Sequence, residues 1–293
     1  GHATGGLGPR EAVSAVGTDP VLFAELGEFL PYSGLEMVVL HHSGLIQLLR
    51  GGASGEASAW TLQSEMQLDS APIAGMIVDI DADSRTEALI SCADGTIRIV
   101  GVQGQDLIEK QDPIDLQGVL IEVLAWAELN GDGVPDLLVG AADGLRIIRM
   151  VRSIDPDTFE LIEEFTVTGL LPLGGPVESI AVADFDRDGR IDALVSAGDG
   201  YLLRGAGNGT FLEAALLSPA PQGEVCIGDV NGDGWIDAVA VAASGLTIHL
   251  HPGTLPEQTW EGIPFPTGGL VQDLAVGEID GDPVAIDDIV VLQ

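Results

Sequence analysis

Short apolar segments alternate with acidic, glycine-rich turns along almost the whole chain. Residues 184–192, DFDRDGRID, place four aspartates within nine residues, and the apolar run ALVSA follows directly. Apolar segments of about four to eight residues between Gly, Asp, Asn and Pro are typical of β-strands. The alternative, a helical solenoid, needs helical periodicity over longer segments, and 40 glycines leave little room for it. The pattern therefore predicts an all-β protein.

The acidic nonapeptide recurs at a nearly regular spacing. Its copies begin at Asp79, Glu128, Asp184, Asp229 and Glu278, which are 49, 56, 45 and 49 residues apart. In a sixth copy the acidic loop has decayed to EFLPYSGLE, but the apolar run and the glycine turn that follow it are kept. A period of this length indicates a repeat architecture. The predicted repeats are residues 20–70, 71–118, 119–173, 174–222, 223–269 and 270–293.

Each repeat contains four strand-like segments. In the fourth repeat they are SIAVA before the acidic loop, ALVSA after it, YLLRG after a glycine turn, and the more polar FLEAALL. The first two segments are nearly continuous apolar runs, as in strands covered on both faces, and the fourth has the mixed character of a solvent-facing edge. Four antiparallel strands in a repeat of this size predict the blades of a β-propeller.

We expect residues 1–293 to form a single β-propeller domain of six four-stranded blades. The count becomes seven if residues 1–27 contribute more strands than we assign to them. The last repeat contains only two strand-like segments before the chain ends at Gln293. Residues 1–19, in particular PREAVSAVG at 9–17, are therefore expected to complete the last blade.

The acidic loops carry oxygen-bearing side chains at relative positions 1, 3, 5 and 9, with glycine usually at position 6. Ca²⁺ takes about six to eight oxygen ligands from carboxylates, amides, carbonyls and water, and a bound cation removes the repulsion between clustered carboxylates. We therefore predict up to five Ca²⁺ ions in loops between the first two strands of most blades. The proposed ligands are Asp79, Asp81, Asp83 and Glu87; Glu128, Asn130, Asp132 and Asp136; Asp184, Asp186, Asp188 and Asp192; Asp229, Asn231, Asp233 and Asp237; and Glu278, Asp280, Asp282 and Asp287.

Two of these loops depart from the pattern. Ser84 replaces the glycine in the loop at 79, and Pro283 replaces it in the loop at 278, where one residue is also inserted before Asp287. The loop at 278 is the weakest candidate, because proline cannot adopt the positive φ that glycine allows.

Three alternatives to structural Ca²⁺ fit the sequence less well. An EF-hand begins in the same way but needs Glu at position 12 and flanking helices, whereas position 12 here is apolar, as at Val139 and Val195. Mg²⁺ prefers to keep several water ligands. Acidic β-turns without a metal are common, but five copies in the same phase favour a cation.

The repeats resemble a known family. DFDRDGRIDALVSAGDG and LNGDGVPDLLVGAADG are similar to FG-GAP or VCBS repeats, which form the β-propeller of integrin α subunits and occur in many bacterial secreted proteins. The resemblance covers residues 20–293 and is closer to the bacterial branch, although only VGA at 139–141 is similar to the Gly-Ala-Pro signature. It implies that the acidic loops join the first two strands of each blade and hold structural Ca²⁺.

Composition narrows the choice of partners. The formal net charge of −35 argues against nucleic acid and anionic membranes, and 46% hydrophobic residues exclude a disordered acidic tail. No apolar run is long enough to span a bilayer, and residues 1–10 lack the apolar core of a signal peptide. Cys92 and Cys226 are too few for a disulfide framework, so we expect buried free thiols rather than a bridge or a metal site.

These observations predict a Ca²⁺-stabilised binding or adhesion scaffold, located outside the cell or at its surface, where Ca²⁺ is abundant. Its expected partner is a protein, in an interaction or a surface assembly. The alternative is a glycan, in a lectin-like propeller whose tryptophans stack on sugars, although we favour packing roles for Trp60, Trp126, Trp235 and Trp260. A polysaccharide-active enzyme is a weaker alternative, because the chain has two tyrosines and no recognisable catalytic constellation, so we expect no enzyme.

Two further groups of side chains are weaker candidates for a functional site. His249 and His251 share a strand face, and a transition-metal or catalytic role is the weaker alternative to ordinary strand histidines. Arg146, Arg149 and Arg152 precede the insertion SIDPDTFEL at 153–161, which is expected to form a solvated hairpin or, alternatively, a contact loop.

Overall fold

The computed structural model describes residues 18–30, 36–51, 60–154, 161–217, 220–221, 223–242, 245–253, 260–277 and 286–292. These residues form β-strands and turns without an α-helix, in agreement with the predicted all-β class. Within the same ranges, no helix is present that has the length and apolar character to cross a membrane. The described residues divide into two compact units, one up to Leu124 and one from Ala125 onward.

The first unit contains two antiparallel sheets in the orders β1-β2-β3-β4 and β5-β6-β7-β8, with β9 paired to β7. Apolar side chains of both sheets, including Val38, Ile46, Leu48, Ile90 and Val100, form one core. The strands are β1 (Val21–Gly27), β2 (Glu36–His41), β3 (Leu45–Arg50), β4 (Thr61–Gln67), β5 (Pro72–Val78), β6 (Glu87–Cys92), β7 (Thr96–Gln103), β8 (Asp106–Glu109) and β9 (Ile114–Asp115).

The second unit contains three four-stranded sheets, β10 to β13, β14 to β17 and β18 to β21, and the two-stranded sheet β22-β23. The division between the units falls within β10. The strands are β10 (Ile121–Ala127), β11 (Asp136–Ala141), β12 (Gly144–Ile154), β13 (Leu161–Leu171), β14 (Ser179–Ala183), β15 (Asp192–Ala197), β16 (Asp199–Leu203), β17 (Ala215–Leu216), β18 (Val225–Gly228), β19 (Asp237–Ala242), β20 (Gly245–Leu250), β21 (Glu261–Pro266), β22 (Asp273–Gly277) and β23 (Asp288–Leu292).

Packing in the second unit joins successive sheets through their apolar faces. Leu194 and Leu202 of one sheet pack with Ala238, Ala240 and the buried Trp260 of the next. A further core joins that sheet to β22 and β23. Each of the six sheets lies within one predicted repeat, and every named pairing is antiparallel.

The burial of the strands corrects one expectation. The second strands β6, β11 and β15 are buried throughout, as their apolar sequences predicted. The first strands β5 and β18 are mostly half-buried, so the prediction that they are covered on both faces is wrong. The reason is that each first strand ends its sheet and has a hydrogen-bonded neighbour on one side only.

The fourth strands are exposed edges, as predicted, but their bounds differ from the sequence assignment. All six residues of β21 are exposed. In the fourth repeat the predicted segment at 211–217 forms a strand only at β17, because Phe211 pairs separately with Gly205 in an isolated bridge. The closing strand at 9–17 lies outside the described residues, and the number of blades in one domain stays a prediction.

Candidate metal centres

In the four acidic loops that the structure describes in full, the first residue organises the turn through its carboxylate. Asp184 accepts the backbone N–H of Asp188 at 3.0 Å on Oδ1 and that of Gly189 at 2.9 Å on Oδ2. Asp79 and Asp229 accept the corresponding N–H groups of their own loops. Glu128 accepts the N–H groups of Asn130, Gly131 and Gly133. The residue at position 1 therefore shapes its loop in all four copies.

Positions 3 and 5 continue the turn by short side-chain-to-backbone bonds. Asp186 accepts the N–H of Asp188 at 3.1 Å, and Asp188 accepts that of Arg190 at 2.9 Å. Such bonds are the usual way in which Asp and Asn stabilise turns, and they recur in the other three loops. These bonds orient the side chains on which the predicted cation sites depend.

Two positions of each loop adopt positive φ. The predicted position 6 does so at Ser84, Gly133, Gly189 and Gly234, with φ between 68° and 85°. Position 4 does so as well, at Ala82, Gly131, Arg187 and Gly232, with φ between 57° and 78°, and sequence reasoning missed it. Ala82 and Arg187 give no composition signal for a left-handed residue, because positive φ normally selects Gly, Asn or Asp.

The ninth residue ties the loop to the sheet. Asp192 accepts the N–H of Phe185 at 3.0 Å on Oδ2, and it accepts the N–H of Gly205, beyond the third strand, at 2.8 Å on Oδ1. Asp136 accepts the N–H of Met150, and Asp237 accepts that of His251. Glu87, Asp136, Asp192 and Asp237 are at most 2% exposed. Position 9 is therefore a buried structural acceptor as well as a candidate ligand.

The decayed loop of the first repeat keeps this one element. Glu36 is completely buried and accepts the N–H groups of Phe29 at 3.2 Å and Leu30 at 3.4 Å. Phe29 stands seven residues before Glu36, as Phe185 does before Asp192. The carboxylate at position 9 thus keeps its bonds to the backbone after the first strand even where the other acidic positions are lost from the sequence.

Burial changes the ionisation of the ninth residue. It raises the pKa of Asp136, Asp192 and Asp237 to about 6, although backbone hydrogen bonds act in the opposite direction. Nearby carboxylates, such as Asp186 beside Asp192, raise the pKa further. At Glu128 burial also raises the pKa, but the backbone donors outweigh burial and the pKa is lowered. Each loop therefore concentrates negative charge beside a carboxylate that is costly to ionise without a cation.

The donor atoms of two loops fit a single cation. In the loops at 79 and 184, oxygen atoms of positions 1, 3 and 9 lie within 4.8 Å of one another. Position 5 is outside these clusters, since Asp83 pairs with Arg85 and Asp188 with Arg190. The loops at 128 and 229 have Asn at position 3 and the same backbone bonds. Carboxylate and amide oxygens are the donors that Ca²⁺ prefers.

The loop at 278 is only partly described. Glu278, Asp280 and Asp282 lie outside the described residues. Asp287 accepts the N–H of Asp229 at 2.8 Å and donates its own N–H to the carbonyl of Asp229 at 2.9 Å. Its carboxylate thus contacts the start of the loop at 229.

The comparisons with known proteins identify the repeat. Residues 128–195, which contain two of the loops, match the model of the FG-GAP-like repeat. Residues 128–195 carry an FG-GAP-like repeat. This confirms the resemblance seen in the sequence, whereas the assignment to a bacterial branch stays a prediction. No curated protein sequence matches the chain.

Solved structures agree with a propeller built of FG-GAP-like repeats. The chain is similar to an Agrocybe aegerita lectin that recognises non-reducing terminal N-acetylglucosamine, with 12% identity and a TM-score of 0.61, over 92% of this chain and 74% of the lectin chain. It is similar to BBS1N, solved in complex with ARL6DN, with 14% identity and a TM-score of 0.57, over 92% and 73% of the two chains. At these identities the likeness shows the fold, a β-propeller.

A third similar structure is longer. The V. cholerae biofilm matrix protein Bap1 has 17% identity and a TM-score of 0.53, over 88% of this chain and 42% of the Bap1 chain. This chain therefore spans less than half of that protein.

A lysine enters the acidic loop at 79. Lys110, just after β8, places its Nζ 2.5 Å from Oδ2 of Asp81 and 3.0 Å from Oε1 of Glu87. Both carboxylates belong to the oxygen cluster of the loop at 79. The sequence offered no signal for this contact, because Lys110 lies 23 residues from Glu87.

An aromatic cavity lies beside the loop at 229. It has a volume of about 430 Å³ and is lined by Asn231, Asp233, His251, Trp260 and Glu261, among others. The ring of His251 stacks on Trp235 at 4.7 Å and meets Trp260 edge-on at 5.0 Å. His251 Nδ1 accepts the N–H of Gly253, which leaves the proton of the neutral ring on Nε2. Nε2 of His251 and Nε1 of Trp260 are buried and have no hydrogen-bond partner within the described ranges.

The arginine group and the long hairpin are also defined. Arg146 pairs with Asp143 at 2.6 Å, and Arg149 donates to the carbonyl of Asn208 at 2.7 Å. Strands β12 and β13 are 11 residues each, longer than the other described strands, and residues 155–160 between them lie outside the described residues. An apolar cleft of about 160 Å³ lies at the base of the hairpin, lined by Leu145, Ile147, Thr168, Gly169, Leu170, Leu171, Thr210 and Phe211.

The remaining candidates, a histidine and the two cysteines, lie in or near the cores of the sheets. His41, which is fully buried, places Nε2 3.0 Å from the side-chain oxygen of Gln47 and Nδ1 3.0 Å from the carbonyl of Asp19. Both cysteines are free thiols; Cys92 is buried, as predicted, whereas Cys226 is only half-buried. Burial raises the pKa of each thiol to about 11, so both are protonated at neutral pH.

Proposed function

We propose that the protein is a Ca²⁺-stabilised binding scaffold that acts outside the cell or at its surface. The observation that carries the proposal is the shared geometry of the loops at 128, 184 and 229. In each loop, backbone bonds gather oxygen atoms around one turn, and a buried aspartate links the turn to a residue in or just beyond the third strand. A cation in this position would neutralise charge and hold the strands of one sheet together.

Ca²⁺ is the proposed ion. The donors are oxygen atoms only, and flexible oxygen shells suit Ca²⁺ better than Mg²⁺, which demands near-ideal octahedral geometry. Extracellular Ca²⁺ is abundant, and an acidic protein with a formal net charge of −35 would attract it. The location outside the cell follows from the same argument.

Thermal unfolding tests the role of Ca²⁺. An ion that binds only the folded state adds about 2.7 kcal/mol of stability at a free concentration of 100 times its Kd. We therefore expect a markedly higher Tm in millimolar Ca²⁺ than in EDTA, with a smaller increase in Mg²⁺. An unchanged Tm after metal removal has been verified by elemental analysis would reject the proposal.

The proposed partner is a protein that docks at the apolar cleft beside β13. Leu170 lines this cleft and is 46% exposed, so a large apolar side chain is available to a partner there. The similarity to a biofilm matrix protein supports a role in surface assembly. The proposal includes no catalytic role, because the histidines and arginines named above are engaged in packing and hydrogen bonds.

Matched variants test the cleft. Leu170→Glu introduces a charge into it, and Leu62→Glu is the control because Leu62, on β4, is 45% exposed. A partner captured from the native source and then purified should bind the wild type and Leu62→Glu equally, and Leu170→Glu at least roughly tenfold more weakly. Equal binding to all three proteins would exclude the cleft as the docking site.

A glycan is the second candidate ligand. The aromatic cavity favours it, because the rings of His251 and Trp260 line it beside Asp233 and Glu261, whose carboxylates can accept from sugar hydroxyls. The similarity to a lectin supports this candidate. On a glycan array that includes terminal N-acetylglucosamine, His251→Gln should lose binding that the wild type and the control His42→Gln keep. An array without any bound glycan would remove this candidate.

A further inference from the structure

The loop at 79 differs from the other three described acidic loops in a coordinated way. Ala82 stands at position 4. Ser84 stands at position 6, where the other three loops have Gly, and Glu87 stands at position 9, where they have Asp. Lys110, the single lysine in the sequence, contacts two carboxylates of this loop, those of Asp81 and Glu87. Several departures at one place suggest a single cause.

The path of Lys110 explains the change at position 9. Its backbone N–H donates to the carbonyl of Ile99 at 2.9 Å, which aligns it with β7. Its side chain then crosses Gly101, where an added Cβ would lie 2.7 Å from Cδ of Lys110 and 3.2 Å from Cγ of Glu87. Glycine at this position therefore leaves the space through which the lysine reaches the loop.

Gly101 also occupies the position that binds the ninth carboxylate in two other loops. It lies 14 residues after Glu87, as Met150 does after Asp136 and His251 after Asp237. In those two loops the residue at this position donates its backbone N–H to the ninth carboxylate. In the loop at 79 the longer side chain of Glu87 instead accepts from the ammonium group of Lys110 through Oε1.

The ammonium group and a Ca²⁺ ion would compete for the same carboxylates. The Nζ atom lies 2.5 Å and 3.0 Å from two of the three carboxylates whose oxygens cluster within 4.8 Å. Ca²⁺ binds carboxylate oxygens at about 2.3–2.6 Å, so an ion held by Asp81 and Glu87 would lie close to the positive charge of Lys110 and be repelled by it. The ammonium group of a lysine side chain is positively charged at neutral pH.

We infer that Lys110 is a tethered cation that replaces Ca²⁺ in the loop at 79, so that this repeat keeps its turn without a metal. The inference concerns this loop alone and rests on the proposed function only for the contrast with the loops at 128, 184 and 229. It predicts one Ca²⁺ site fewer than the acidic loops in the sequence suggest, and it predicts that the site returns when the lysine is removed.

The test is a count of bound Ca²⁺ in the full chain by equilibrium dialysis with elemental analysis. Lys110→Met keeps the aliphatic stem and removes the charge, so it should bind one Ca²⁺ more than the wild type. Lys110→Arg keeps the charge and should bind the same number as the wild type. In EDTA, Lys110→Met should unfold at a lower temperature than Lys110→Arg, and Ca²⁺ should remove this difference.

A second variant guards against misfolding. Glu87→Asp/Lys110→Met gives the loop the ninth residue of the other three loops, and it too should gain one ion. If neither methionine variant gains an ion, the inference is overturned. A wild type that binds no Ca²⁺ would reject the proposed function instead, and a gain from zero to one in Lys110→Met would still support the tethered cation.

Discussion

At the scale of single side chains, the ninth residue of the acidic loop is a buried structural acceptor as well as a candidate ligand. Asp192 accepts from the loop and from the residue beyond the third strand, and is 1% exposed, whereas Asp188 accepts within the loop and is exposed. The sequence predicts Asp188 and Asp192 as equivalent Ca²⁺ ligands. The structure separates them, because only the ninth side chain starts a buried strand.

The two variants Asp192→Asn and Asp188→Asn should therefore differ in their free energy of unfolding even when no metal is present. The amide that replaces the carboxylate in Asp192→Asn would offer one oxygen where two accept at present, so a buried N–H would lose its acceptor at a cost of about 1–3 kcal/mol. The amide in Asp188→Asn still offers the oxygen that accepts from Arg190, so we expect little change. Urea unfolding in EDTA measures both variants, and equal stability of Asp192→Asn and the wild type would contradict the structural role.

The same buried carboxylates predict an unusual pH dependence. The pKa of Asp136, Asp192 and Asp237 is about 6 in the folded protein, above the ordinary value for Asp of about 3.9. The folded state therefore binds protons more tightly than the unfolded state. Their contribution to stability is complete below about pH 4 and is lost as the pH rises through about 6.

In EDTA, lowering the pH from about 7 to about 5 should therefore raise the stability contributed by these three groups. In saturating Ca²⁺ the slope should reverse, because protons then displace a bound ion. Thermal unfolding at several pH values in both conditions measures this. A protein whose stability falls equally with acid in both conditions would not have the protonation that burial predicts.

Turns are the elements on which the repeat depends most directly. Gly144 and Gly245 begin the third strands β12 and β20 with φ of 133° and 143°. A Cβ at either glycine would lie 2.3 Å from a backbone carbonyl oxygen of the fourth strand. Gly131 in an acidic loop also has positive φ, but no atom lies within 4 Å of its added Cβ.

Gly144→Ala and Gly131→Ala form a matched pair for this element. Gly131→Ala should cost about 1–2 kcal/mol from φ alone, and Ala82 shows that alanine adopts this conformation at the same position of another loop. Gly144→Ala should cost more, because the two strands must also separate. Urea unfolding compares them, and the opposite order of stability would contradict the predicted clash.

The two compact units should respond differently to metal at the scale of the whole molecule. The loops at 128, 184 and 229 belong to the unit from Ala125 onward. The loop at 79, with Lys110, and the decayed loop ending at Glu36 belong to the unit up to Leu124. We therefore expect the stabilisation by Ca²⁺ to be concentrated in the second unit.

Hydrogen exchange can locate this effect. On transfer from Ca²⁺ to EDTA, amides of β11, β15 and β19 should lose protection, whereas those of β6 and β7 should keep it. The physical reason is that Lys110 neutralises the first unit's acidic loop in either condition. Equal loss of protection in both units would show that the ions stabilise the chain as a whole.

The sequence alone determined the local features of this protein. Strand order, repeat length and the phase of the acidic loops depend on alternation and on bonds between residues at most a few positions apart. Examples are the bonds from Asp188 to Asp184 and Asp186, which the spacing itself makes possible. Bonds of this kind recur in the four acidic loops that the structure describes, so the repeats reinforce one another.

Only the tertiary structure decided which distant residues complete each loop. The N–H of Gly205 that meets Asp192, the stacking of His251 on Trp235 and the ammonium group of Lys110 all come from beyond the loop itself. Antiparallel pairing brings these groups together, and burial then sets their charge. A pattern of side chains along the chain cannot encode that proximity, because it depends on strand register and on the space left by residues such as Gly101.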